Sequence, residues 1–214
     1  MNINLEILES AYLIGEQTIE NLNTKELVPT MVFRRRLTQA SKLIIELMNK
    51  VNFTQGRIMY GSAYGELEAT SNILNAIANA SGVSPTDFQN SVYNTAASYA
   101  SILYDNQNEI MTISSGDKTS EKLLKIGAIK ALDGDNILLI ATETMNIKNI
   151  EQINHCTDYL ECAVALKVKV TYHEPTFEIF KENMLSGLPQ SMALLIAIAQ
   201  KVDKNKPNIL RVVV

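Results

Sequence analysis

Cysteine is scarce in this 214-residue chain, and Cys156 and Cys162 lack CxxC spacing. Two such residues cannot make a disulfide scaffold, so a reducing compartment is the natural setting. Histidine is equally rare, with His155 and His173 making up the whole set. Neither a metal nor a cofactor is expected. Positive charge is in short supply too: the net charge is -4 and the pI about 5.3, which argues against generic nucleic-acid binding. The local exception is Arg34, Arg35 and Arg36. No apolar run is long enough for a membrane span, since Met192 to Ala199 falls far short of the ~20 residues required. Met1 to Gln17 contains Glu6, Glu9 and Glu16 and lacks the basic start of a secretory signal. The expectation is a cytoplasmic protein. No internal repeat or low-complexity linker interrupts the sequence. With 46% hydrophobic and 20% charged residues, it suits one ordinary soluble domain over residues 1–214.

Apolar strand-like segments alternate with helical ones. Ile3 to Leu13 reads as a first strand, although Leu5, Leu8 and Leu13 leave its pattern ambiguous. Leu37, Ala40, Ile44, Leu47 and Met48 form one face of a helix. Arg57 to Tyr60 reads as a buried strand. After the turn Gly61 to Gly65, Leu67, Leu74, Ile77 and Ala78 mark a helix that stops near Gly82. Ser84-Pro85-Thr86-Asp87 is a turn or helix start, and Asn90 to Tyr104 reads as a helix of small residues. Asn136 to Ala141 is the clearest buried strand. Ala163 to Tyr172 alternates Lys167 and Lys169 with apolar residues, which places it at a sheet edge. Pro175 to Lys201 reads as two helical pieces broken at Gly187 and Pro189, and Ile209 to Val214 as a last strand. Strands feeding helices feeding strands imply an α/β fold, with a mostly parallel mixed sheet covered by helices on both faces.

One turn carries the chemistry. Ile110 to Ile113 is a short apolar strand, Ser114-Ser115-Gly116 are turn residues, and Leu123, Leu124, Ala128, Ala131 and Leu132 recur at helical spacing. The unpaired first-turn amides of such a helix carry the positive end of its macrodipole, which favours an anion by ~0.3–1 kcal/mol at an exposed site. A cysteine there would be activated as a thiolate. Asp117 stands there instead, and an aspartate is a preferred helix cap.

Phe33-Arg34-Arg35-Arg36-Leu37-Thr38-Gln39-Ala40-Ser41, Tyr60-Gly61-Ser62-Ala63-Tyr64-Gly65-Glu66-Leu67 and the run Ser84 to Ala97 occur in an order and spacing that resemble the N-terminal half of β-ketoacyl synthases. The chain is most similar to the small ketoacyl-synthase-like proteins of aryl polyene and related polyketide pathways, best over residues 33–145. The resemblance implies a thiolase-like half, with dimers pairing through a sheet edge near the nucleophile. It aligns Ser114, Ser115, Thr119 and Ser120 with the nucleophile motif and puts Asp117 where the cysteine belongs. The family's two catalytic histidines belong to a second half, and this chain ends about where that half begins.

The function so implied is a non-catalytic, chain-length-factor-like subunit in fatty acid or polyketide biosynthesis. Its partner would be a ketoacyl synthase, the acyl carrier protein or a second copy, in a homo- or heterodimer. Asn94, Thr95, Ser98 and Ser101 are the candidate interface residues. Arg34, Arg35 and Arg36 either tie their loop to internal carboxylates and carbonyls or dock an acidic carrier protein or a CoA phosphate. Placed at a helix start, they would oppose the macrodipole and need acidic partners. Against this stand an autonomous acyl transferase or thioesterase using Cys162, paired with His173, or a serine, and a simple acyl- or CoA-binding module. Ser62 and Ser115 lack the G-x-S-x-G setting of a hydrolase elbow. Adjacent in a strand, His155 and Cys156 would point oppositely.

Overall fold

The computed structural model describes residues 1–150, 157–180 and 184–214. Six strands form one sheet: β1 (Asn2–Gly15), β2 (Ile58–Gly61), β3 (Ile110–Ile113), β4 (Ile137–Thr144), β5 (Glu161–Thr171) and β6 (Ile209–Val213), in the order β3-β2-β4-β5-β1-β6. β2 pairs in parallel with β3 and β4, and the pairs β4–β5, β5–β1 and β1–β6 are antiparallel. The sheet is therefore mixed, with β1, β2, β3 and β4 running one way and β5 and β6 the other.

β4 explains the sheet's centre. Its apolar run is buried on both faces, as expected of a strand covered by helices on either side. Met59, Leu139, Val164 and Leu166 face α7 (Thr119–Lys130) and α8 (Gln190–Lys201) in one apolar cluster. Tyr60, Leu138, Ile140 and Ala165 join α3 (Gln39–Lys50) and α6 (Thr95–Tyr104) in the other. α3 buries Leu43, Ile44, Leu47 and Met48 completely, each contributing on the order of 2 kcal/mol.

The ambiguous β1 pattern has a physical source. Its register against β5 slips between Ile7 and Glu9, and one extra residue reverses which face alternate side chains meet. Before the slip Ile3, Leu5 and Ile7 pack in the α7–α8 cluster; after it Ala11 and Leu13 pack in the α3–α6 cluster.

Three expectations need correction. β5 lies inside the sheet, between β4 and β1; Lys167, opposite Leu138, is half-buried and reaches the Asn52 carbonyl at 3.4 Å, and of the two lysines Lys169 alone lies beyond the first residue of β4, which pairs with Val168. There Lys169 pairs with Glu6 of β1 at 3.1 Å. The helix expected from Asn90 to Tyr104 starts only at Thr95, as α6, while the helix start expected at Ser84–Asp87 is present as α5 (Pro85–Asn90), capped by Ser84. Of the two pieces expected in 175–201, α8 is the helix among the described residues, while Thr176 and Phe177 bond along the outside of β6.

The remaining helices precede α3 or lie between β2 and α5: α1 (Thr24–Leu27), α2 (Met31–Arg34) and α4 (Leu67–Ala78). α4 packs chiefly on α5 and buries only Ala69. Leu74, Ile77 and Phe88 are left 61%, 62% and 72% exposed, so this pair stands as an arm with an uncovered apolar face.

Candidate functional site

The strand-turn-helix expected at residues 110–132 is present. After β3, Ser114 and Ser115 lead into a tight turn, Gly116–Lys118, with Gly116 at φ 54°, and α7 follows. Thr119, fully buried, holds the turn: its hydroxyl accepts from Ser115 N at 3.0 Å and donates to the Gly116 carbonyl at 2.7 Å. Thr119 closes the turn, and neither Asp117 nor any other residue makes a side-chain cap bond at the start of α7, so the expectation that Asp117 caps the helix is corrected. The Asp117 side chain is exposed and makes no hydrogen bond or ion pair among the described residues. It lines a cavity of about 670 Å³ with Lys118, Ser120, Glu121, Gln190 and the segment Met184–Leu188. Ser120 is buried, and Ser114 is exposed with only a long 3.5 Å contact to the Ala63 carbonyl.

Behind this turn lies a residue that the sequence reading missed. Glu143, near the end of β4, is fully buried. Its Oε1 accepts from Ala63 N (2.6 Å) and Ser191 Oγ (2.8 Å), its Oε2 from Ser62 Oγ (3.0 Å) and Tyr64 N (3.3 Å). Ser62 Oγ in turn accepts from Gly65 N at 2.8 Å, and Ser62 N donates to the Ile113 carbonyl at 3.2 Å. One carboxylate therefore clasps the β2–α4 turn to the start of α8, while the Ser62 amide ties that turn to the end of β3. Burial raises its pKa while the four donors oppose the rise. An acidic residue closing a buried apolar strand was the available signal. Gly61 serves the same packing, since a Cβ there would meet Leu123 at 2.9 Å and Thr119 at 3.2 Å. The Tyr64 phenol is also raised, by burial and then by the charges of Glu143 and Asp117.

The rival nucleophiles are not brought together. Cys162 is fully buried opposite Glu143 in the sheet, and its thiol is pushed up to about 12 by burial and then by the charges of Glu143 and Glu161. His173 follows the far end of β5, and Cys162 stands near its start, so the two lie roughly 30 Å apart along the strand at ~3.3 Å per residue. A Cys162–His173 pair is therefore excluded. His155 and Cys156 lie outside the described residues. Ser62 is buried on Glu143, and the Ser115 hydroxyl makes no hydrogen bond among the described residues.

Arg34 is anchored, donating to the carbonyls of Val28 (2.6 Å) and Pro29 (2.8 Å). Arg35 and Arg36 are exposed, and their side chains have no partner among the described residues. The triplet sits at the end of α2, where cations favour the macrodipole. This corrects the expected placement at a helix start and removes the need for acidic partners. Phe33 pins α2 edge-to-face on Tyr99, with centroids 5.9 Å apart.

Asn94, Thr95 and Ser98 line a shallow groove of about 190 Å³ with Val92, Tyr99 and Ile102. Ser101 faces elsewhere and donates to the Asn106 carbonyl. Among the described residues no group of His, Cys, Asp and Glu could hold a metal ion, and no helix is long and apolar enough to cross a membrane.

The fold is shared with solved structures at low identity. A ketosynthase (ApeO) in complex with its chain length factor (ApeC) from Xenorhabdus doucetiae matches with a TM-score of 0.70 and 20% identity, over 94% of this chain and 93% of that one. The ishigamide ketosynthase/chain length factor matches at 0.60 and 11%, over 78% and 62%. The AntDE:AntF complex, a type II acyl carrier protein with its ketosynthase bound to a hexaketide, matches at 0.63 and 12%, over 79% and 64%. The chain thus spans under two thirds of the latter two and nearly all of the first. No curated protein matches it in sequence. The model of the β-ketoacyl synthase N-terminal domain matches residues 14–205, well beyond the 33–145 of the sequence resemblance. On that match the chain belongs to the β-ketoacyl synthase N-terminal domain family, and its mixed sheet between helical layers is the thiolase-like fold.

Proposed function

We propose that this chain is a non-catalytic, chain-length-factor-like subunit of acyl-chain biosynthesis, of the aryl polyene type, acting beside a ketosynthase. The observation that carries the reading is Asp117, an exposed and unpartnered carboxylate at the nucleophile position of an otherwise intact strand-turn-helix. Claisen condensation needs a nucleophile to hold the acyl chain and donors for the thioester oxyanion. A carboxylate is a poor substitute for a thiolate in thioester exchange, and it repels the carboxylate of a malonyl group entering the same cavity. The similarity in length to the matched chain of the ApeO–ApeC complex supports the subunit reading.

In this reading the whole of 1–214 works as one domain in the cytoplasm and completes an acyl tunnel across a dimer interface. The surface offered to the partner combines the open outer edge of β3 with the groove of Asn94, Thr95 and Ser98 and the arm formed by α4 and α5. Open sheet edges and uncharged apolar patches are the features that association covers. Arg35 and Arg36, without side-chain partners among the described residues, are the residues for an acidic carrier protein.

The test is native mass spectrometry of the protein purified from its own host, joined to a malonyl-thioester assay of the chain alone. The expected result is co-purification of a ketosynthase and no turnover without it. Condensation or decarboxylation by the chain alone, lost in Asp117→Ala, would overturn the proposal.

A further inference from the structure

Among the described residues four glutamates are buried, and three of them are well provided with donors. Glu143 has four. Glu161 receives Ile19 N at 2.8 Å and Gln39 Nε2 at 2.9 Å. Glu46 receives the amide and side chain of Asn23 and pairs with Lys50 at 3.3 Å. Glu66, 6% exposed, has a single donor among the described residues, the Thr38 hydroxyl at 2.7 Å, and its carboxylate does not cap α4. No cation is close in sequence, since the chain carries no Lys, Arg or His between Arg57 and Lys118.

The position of Glu66 matters as much as its poverty of partners. It is the residue from which α4 springs, directly after Gly65 at φ 61°. Its one bond reaches the residue that caps α3, because Thr38 Oγ1 accepts from Ser41 N at 3.1 Å. The groups that face it are Thr38 and Ser41 on α3, the Tyr60 phenol on β2 and Glu68 on α4. None is a cation. Glu143 and Ser62 hold the turn just before Glu66, at Ala63, Tyr64 and Gly65, and the Thr38 bond is what ties Glu66 itself, the first residue of the α4–α5 arm, to α3.

We infer that Glu66 is a titratable latch: neutral, it stays buried on Thr38 and holds the arm's root to α3, and ionised, it leaves for water and lets that root open. Resting on the reading of the arm as partner-binding surface, the latch makes docking weaker as pH rises.

Burial pushes the Glu66 carboxyl up to about 7, opposed by the Thr38 bond and helped by the charge of Glu68. Once exposed, the same carboxyl returns to its ordinary value of 4.5. The closed state's advantage is therefore complete below 4.5 and is lost as pH rises through 7. A difference of that size changes the open population by roughly 300-fold across the window.

Hydrogen exchange of the whole chain, without a partner, tests this. After correction for the intrinsic exchange rate, opening at residues 66–70 is expected to rise on the order of 10²-fold from pH 5 to pH 8. In Glu66→Gln, whose amide oxygen still accepts from Thr38, the profile is expected to be flat. Equal pH dependence in the two proteins overturns the latch. Should the variant fail to fold, the carbon-13 shift of the wild-type Glu66 carboxyl decides: a midpoint near 7 supports the latch and one near 4.5 overturns it. Because no partner is present, failure here leaves the subunit reading standing, and failure to bind a ketosynthase leaves the latch standing.

Discussion

Under native conditions at pH 7, Cys162 is expected to resist alkylation by iodoacetamide, and the expected extent follows from its surroundings. The residue is fully buried in β5 and lies opposite Glu143 in the sheet. Its Sγ finds only a weak contact with the Tyr159 carbonyl, at 3.9 Å. Burial, then the charges of Glu143 and Glu161, push the thiol up to about 12 from an ordinary 9.0. Since only the thiolate reacts, the native residue presents ~10³-fold less nucleophile than an unfolded one, at a thiolate fraction of ~10⁻⁵. Labelling therefore waits for the strand to open. Peptide mass spectrometry of the Cys162 fragment, native against urea-unfolded, measures the ratio of rates. A native rate at least ~10³-fold slower is expected; a native rate within about tenfold of the unfolded one would refute the reasoning and return Cys162 to candidacy as a nucleophile.

Gly127→Ala adds a Cβ that would run into the buried Leu139 side chain; overpacking of ~1–3 kcal/mol against a helix-propensity gain of ~1 kcal/mol leaves a net loss of about 1 kcal/mol. Urea denaturation checks this, with an unchanged midpoint as the contrary result. Arg57→Ala removes bonds to Asp133 (2.7 Å), Asp135 (2.8 Å) and the Lys130 carbonyl (2.7 Å), for about 1–2 kcal/mol at pH 7 once solvent screening is allowed for. The Asp135 carboxyl is held below its ordinary 3.8 by the Arg57 bond, so this stabilisation is present above 3.8 and is lost as pH falls below it; denaturation curves of the two proteins are expected to converge in acid. Asp117→Cys places an exposed thiol at the start of a helix, so it is expected to label far faster than Cys162 and still not condense malonyl thioesters. Turnover by that variant would show that a working base is at hand.

Much of the strand and helix order was legible because apolar periodicity reports burial on one face or two, and β4, α3 and α7 present it without interruption. What misled were places where periodicity had another cause. Lys169 of β5 lies past the first residue of β4, a matter of relative strand length that the segment itself does not contain, and Lys167, though opposite Leu138, reaches out to the Asn52 carbonyl. Leu8 blurred β1 because a bulge reverses which face is inward. The break between α5 and α6 falls within Asn90–Asn94, where no glycine or proline marks it.

The site was legible in outline and hidden in its support. Position 117 stood out because strand, small residues and helix follow one another in the chain, so the turn is local. Glu143 did not, because its four partners come from Ser62, Ala63, Tyr64 and Ser191, between 48 and 81 residues away. That separation has a consequence for function. The turn is held by Thr119 from within and, through Glu143 and the Ser62–Ile113 bond, from behind, while the side chain at 117 takes part in none of these bonds. Geometry and chemistry are therefore separable at this point of the fold: the scaffold that aims residue 117 into the cavity does not depend on what residue 117 is. An aspartate can stand there without loss of the strand-turn-helix, and exchange for cysteine changes the reactive group while leaving the turn's hydrogen bonds in place.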